Sequence, residues 1–117
     1  MSILSLVRPD LQQFSGYLSA RKQNSGGAIW LNANESAYAQ EFDSQQLNRY
    51  PEPQPRLLKQ ALCDYYQTAS ENLLITRGSD EGIDLLTRAL CIPGKDCIAI
   101  QSPTFGMYAV CARLHMC

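Results

Sequence analysis

The stretch Leu73-Leu74-Ile75-Thr76-Arg77-Gly78-Ser79-Asp80-Glu81 sets the frame for everything around it. Four residues of short, largely apolar chain suit a buried β-strand. Arg77-Gly78-Ser79 then reads as a turn. Ser79 to Cys91 has a helical period, with Asp80 and Glu81 in the first turn, where negative side chains suit the positive end of the helix dipole. Working downstream, Pro93-Gly94-Lys95-Asp96 is a second turn, and Cys97 to Gln101 is a second short strand. Ser102 and Pro103 cap and open another helix running toward Leu114. Strand, helix, turn, strand and helix in succession make an α/β unit whose expected product is a parallel sheet.

Upstream of residue 70 the texture differs. Asn48-Arg49-Tyr50-Pro51-Glu52-Pro53-Gln54-Pro55 carries closely spaced prolines that force an extended path. Pro55 opens a helix to about Gln67, with Leu58, Leu62 and Tyr66 in one row and Leu57, Ala61 and Tyr65 beside it. Ala28 to Leu31 is β-like and leads into the polar run Asn32-Ala33-Asn34-Glu35-Ser36. Asn24-Ser25-Gly26-Gly27 is a turn or linker. Pro9 begins a short helix to about Lys22, with Leu11, Phe14 and Leu18 on one face and Gly16 weakening it. The shift in composition near residue 70 marks a domain boundary, with 1–70 and 71–117 on its two sides.

The composition excludes several classes. Ten basic residues against eleven acidic ones give a net charge of -1 in 117 residues, so no basic footprint for nucleic acid exists. No apolar run is long enough to span a bilayer. Met1 to Asp10 lacks the basic and apolar regions of a signal peptide. The five cysteines, Cys63, Cys91, Cys97, Cys111 and Cys117, show no CxxC pair, and His115 is the single histidine, so a metal site is not expected. These read as structural thiols in a reducing, cytosolic compartment. Two short strands with two helices do not complete a covered parallel sheet. The chain therefore reads as part of a larger α/β domain, against the alternative of a small, self-standing α+β module.

Three places can carry chemistry. At Thr76-Arg77-Gly78-Ser79-Asp80 a helix N-terminus offers unpaired N–H groups and a positive dipole end, with Gly78 allowing close approach and Ser79 adding a hydroxyl. A phosphate fits there, but so does an ordinary cap satisfied by Ser79, and local physics alone favours the cap. In Pro103-Thr104-Phe105-Gly106-Met107-Tyr108, Phe105 stands at the C-terminal edge of the expected sheet, where it either stacks on a planar ligand or fills the core. Tyr50 is rigidly presented by Pro51, in a binding segment or in a plain surface turn.

Taken in order, Asn32-Ala33-Asn34-Glu35, Leu47-Asn48-Arg49-Tyr50-Pro51-Glu52, Thr76-Arg77-Gly78-Ser79-Asp80-Glu81-Gly82-Ile83, Pro93-Gly94-Lys95-Asp96 and Ser102-Pro103-Thr104-Phe105-Gly106-Met107-Tyr108 resemble the histidinol-phosphate aminotransferases, from about Tyr17 to about residue 112. The resemblance implies the aspartate-aminotransferase-like α/β fold, fold type I. Residues 1–70 would form the N-terminal arm and part of the small domain, and 71–117 would open the large cofactor-binding domain. It implies a cytoplasmic homodimer using pyridoxal 5'-phosphate to move an amino group from glutamate to imidazole-acetol phosphate, giving histidinol phosphate and 2-oxoglutarate.

Residue by residue, the resemblance implies that Gly78, Ser79 and Asp80 hold the cofactor phosphate, reversing the preference for a plain cap. Phe105 falls where the family usually has a tyrosine against the pyridine ring, keeping the stacking face and losing a hydroxyl. Tyr50 matches a tyrosine reaching the neighbouring subunit's cofactor phosphate. Tyr17 matches one near the substrate phosphate, and Asn34 and Glu35 border the substrate pocket. Lys22, Lys59 and Lys95 are the only lysines, and none lies in the motif of the Schiff-base lysine. That lysine is expected downstream of residue 117, so no catalytic residue is assigned within the chain, which is expected to be inactive alone. Other fold type I enzymes, such as an aromatic aminotransferase or a phosphothreonine decarboxylase, are the nearest alternatives.

Overall fold

A computed structural model describes residues 2–18, 29–31, 33–45 and 47–117. The chain divides into two compact units. One joins Met1–Ser15 to Thr76–Cys117, and the other comprises Gly16–Ile75.

In the first unit a 3-10 turn at Ile3–Leu6 precedes α1 (Pro9–Gln12), which has Pro9 at its first position. The expected helix to Lys22 stops at Gln12: residues 14–18 have no regular structure, and residues 19–22 lie outside the described residues. Gly16 lowers helix propensity here, and a helix this short gains little from its few bonds. The arm is held from outside itself. The Arg8 N–H donates to the Ala89 carbonyl at 2.9 Å, and the Arg8 guanidinium donates to the Arg88 carbonyl at 3.2 Å.

Those carbonyls end α3 (Ser79–Leu90), the longest helix of the unit. It packs against α4 (Met107–Leu114). Thr87 is buried on α3, where its hydroxyl donates to the Ile83 carbonyl one turn back. Cys111 and Ala112 are buried on α4. These small side chains form the buried centre of the unit, and they let two helix backbones approach closely. The start of the loop between the helices is tied twice: the Ile92 N–H donates to the Asp96 carboxylate at 2.7 Å, and the Gly94 N–H donates to the Met116 carbonyl at 2.8 Å.

In the second unit α2 (Arg56–Tyr66) follows the proline-rich run, with Pro55 as its N-cap. It buries Cys63 and ends at Gln67, whose left-handed backbone turns the chain toward a 3-10 turn at Ser70–Asn72. Gln54 clamps the segment after that turn. Its amide accepts from the Ile75 N–H and donates to the Ile75 carbonyl, both at 2.8 Å.

The structure departs from the expected sheet. Among the described residues no strand ladder forms at 29–31, 73–76 or 97–101. Leu73 has extended dihedrals (φ -123, ψ 127), so the backbone is β-like but unpaired. A strand exists only through a neighbour that takes its hydrogen bonds, and two short segments do not provide a covered parallel sheet. The final helix also begins later than the Ser102-Pro103 opening, because Thr104 and Gly106 are poor helix formers and Gly106 serves as the cap of Met107.

Candidate functional site

Gly78, Ser79, Asp80 and Phe105 belong to the first unit, and Tyr17, Asn34, Glu35 and Tyr50 to the second.

The head of α3 is built around Gly78. Its dihedrals (φ 81, ψ 176) lie in a region that only glycine enters without strain. A side-chain carbon there would meet nothing within 4 Å, so the space in front of the turn is open. Ser79 is therefore the first helical residue and not the cap, which corrects the reading of a serine satisfying its own helix. Among the described residues nothing accepts from the Ser79 or Asp80 N–H groups. Both are exposed at the positive end of the dipole, an arrangement suited to an anion.

Two neighbours hold this turn in shape. The Thr76 hydroxyl donates to the Gly78 carbonyl at 2.8 Å. The Glu81 carboxylate accepts the Arg77 N–H at 2.6 Å and the Arg77 guanidinium at 2.9 Å. The backbone bond first, and then the guanidinium, holds the Glu81 carboxyl below the usual range. Glu81 thus folds back on Arg77, where its charge is met by a cation instead of facing an incoming anion. A glutamate at the third helical position is suited to reach back over a helix start, and here it reaches one residue past the Gly78 cap, to Arg77. The Asp80 side chain is exposed.

Phe105 is 53% exposed, with its ring edge-to-face with Tyr108 at 6.4 Å between centroids. It is not sealed in a core and keeps a face available for stacking. Beside it a cleft of about 280 Å³ is lined by Ile98, Ala99, Ile100, Gln101, Thr104 and Tyr108.

In the second unit Glu35 is the centre of a polar cluster. Its side chain is only 2% exposed. One carboxylate oxygen accepts the Tyr50 N–H at 2.7 Å, and the other meets the Arg49 guanidinium at 3.3 Å. That guanidinium also lies 5.8 Å from the Trp30 ring centroid, within cation–π range. The Asn48 amide donates to the Ser36 carbonyl at 2.9 Å. The segments 34–36 and 48–50, read separately in the sequence, are thus brought together. Asn34 is exposed and in the left-handed region at φ 53. Tyr50 is 61% exposed and Tyr17 is 89% exposed. Residues 29–31 and 33–36 carry this cluster, while the lysine at position 22 and the asparagine at 32 lie outside the described residues.

No group of three or more histidine, cysteine or acidic residues arranged for a metal ion occurs among the described residues, and no described helix is long and apolar enough to cross a membrane.

Residues 23–117 match the family model for aminotransferase class I and II. The chain is 58% identical over 114 residues to the histidinol-phosphate aminotransferase of Stenotrophomonas maltophilia strain R551-3, covering 97% of this chain and 31% of that protein. Similar values hold for that of Xanthomonas euvesicatoria pv. vesicatoria strain 85-10, at 58% over 115 residues, 97% of this chain and 32% of the relative. The protein of that name from Xanthomonas campestris pv. campestris strain ATCC 33913 is 54% identical over 115 residues, with the same coverage of 97% and 32%. The chain spans about a third of the length of these curated relatives.

Proposed function

Because the chain belongs to the aminotransferase class I and II family, we propose that it forms the N-terminal portion of a histidinol-phosphate transaminase of fold type I. In this reading 1–70 make the arm and part of the small domain, and 71–117 open the large one. The observation that carries the proposal is the head of α3, where free N–H groups, an open approach over Gly78 and a neutralised Glu81 meet at one point. These residues fit the phosphate of pyridoxal 5'-phosphate. When bound, that cofactor supplies an electron sink for the carbon that gains or loses the amino group.

The chain's own residues have four tasks. The Gly78, Ser79 and Asp80 backbone anchors the phosphate. Phe105 offers a ring face to the pyridine plane and excludes water from one side. Tyr50 reaches the phosphate held by a second copy in a cytoplasmic homodimer. Tyr17 and the Asn34–Glu35 segment border the pocket for histidinol phosphate, glutamate and 2-oxoglutarate. The lysine that binds the cofactor covalently lies outside residues 1–117, so this chain binds without reacting.

The test is a phosphorus-NMR titration of the chain with pyridoxal 5'-phosphate, with pyridoxal titrated in parallel and followed by its absorbance. Phosphate-dependent, reversible binding is expected, weakened by inorganic phosphate as competitor. Equal binding of pyridoxal, or stoichiometric borohydride fixation to Lys22, Lys59 or Lys95, contradicts the proposal.

A further inference from the structure

The clamp in the second unit gives Glu35 a role that differs from touching substrate. We propose that Glu35 is a positioning residue, whose buried carboxylate fixes the backbone of Tyr50 and the side chain of Arg49 and so sets the direction in which the Tyr50 phenol points. The inference rests on the reading of Tyr50 as a cofactor-phosphate contact.

Three observations carry it. The Glu35 side chain is almost wholly buried, and both its oxygens are engaged. Its partners lie 14 and 15 positions away, so the carboxylate joins two segments that no local structure connects. The partner atom on Tyr50 is the backbone N–H, while the tyrosine ring stays exposed. Pro51 follows and restricts the conformation of Tyr50 from the other side. With the N–H fixed on one flank and the proline on the other, the point and angle at which the Tyr50 side chain leaves the backbone are set. The Asn48 amide bond to the Ser36 carbonyl runs parallel to this contact and keeps the two segments in register. A bond to a buried charged acceptor is stronger than a neutral one, and it leaves an uncompensated cation and a bare N–H when the acceptor is removed.

The experiment uses the whole chain, isotopically labelled, and reads two resonances. In the unaltered protein the Tyr50 amide proton should titrate with the same midpoint as the Glu35 carboxyl carbon. In Glu35→Gln the Tyr50 amide should lose roughly tenfold or more of its protection from hydrogen exchange. Addition of pyridoxal 5'-phosphate should move the Tyr50 ring resonances in the unaltered chain and move them less in Glu35→Gln. A Tyr50 amide that ignores the Glu35 titration overturns the clamp, and this measurement needs no variant to fold. A Tyr50 ring that ignores the cofactor in the unaltered chain, with the amide titrating as described, overturns the cofactor reading of Tyr50 and the proposal with it. Equal ring shifts in both proteins overturn the positioning role alone.

Discussion

His115 and Asp84 are joined by a 2.7 Å contact between Nε2 and Oδ1 that ties the end of α4 to the middle of α3. The other Asp84 oxygen takes the Arg88 guanidinium at 2.9 Å, so one carboxylate serves both helices. Histidine first, and then the arginine's charge, holds the Asp84 carboxyl below the usual aspartate range. A depressed carboxyl stabilises the fold at pH values above its ordinary range. That contribution is lost as pH falls through the lowered value. Urea melts taken from neutral pH downward should show the native chain losing stability below about pH 4. Asp84→Asn should be weaker at neutral pH and flatter across that acid window. Parallel curves for the two proteins would remove Asp84 from the account.

Gly78→Ala should cost about 1–3 kcal/mol of stability, from backbone strain and not from collision, since a methyl group there has open space. The same methyl would project into the approach to the Ser79 and Asp80 N–H groups. Phosphate-dependent cofactor binding should therefore fall further than stability does. Denaturant melts and the phosphorus titration, run side by side, separate the two effects. Unchanged stability would mean that the turn takes up another conformation.

Phe105→Ala should leave stability within about 1 kcal/mol, because the ring is half exposed and, among the described residues, its aromatic contact is with Tyr108. Affinity for pyridoxal 5'-phosphate should drop roughly three- to tenfold, and Phe105→Tyr should restore it. A large loss of stability in Phe105→Ala would instead make this ring a structural residue.

All the cysteines are free, and their settings differ. Cys97 is exposed and should react first with a disulfide reagent. Burial pushes the Cys91 thiol up, so it should follow slowly. Cys63 and Cys111 are buried and should react only on unfolding. Cys111→Ser places a hydroxyl where the side chain is 2% exposed and should cost about 1–3 kcal/mol. Reaction of Cys111 in the folded chain, at the rate of Cys97, would contradict the packing of α3 on α4.

The two longest helices were legible to within a residue because their signals are local. Pro55 starts α2, and the glycine turn at 78 starts α3, each followed by an apolar row at helical spacing. The apolar runs at 73–76 and 97–101 were legible as strand candidates, yet among the described residues neither forms a ladder, although Leu73 has strand-like dihedrals. Whether such a run becomes a strand depends on a partner that no short window contains. The candidate site divides in the same way. The glycine turn could be read from spacing, whereas Phe105 entered through the resemblance, because spacing alone favoured a core role for a ring that the fold leaves half exposed. The contact between Glu35 and Tyr50 crosses a loop with no periodic mark, and only the folded chain reveals it.

The bonds from Arg8 to the end of α3 have a consequence for how this polypeptide is made. Arg8 leaves the ribosome early, yet the carbonyl its guanidinium reaches is 80 positions later in the chain. Until Arg88 and Ala89 emerge, the arm has no dock, and the Arg8 N–H and guanidinium have only water as partner. The arm is thus translated well before the helix end that fixes it, and settles only after it. A pause in translation before residue 88 would prolong the time for which Arg8 lacks the carbonyls that hold the arm.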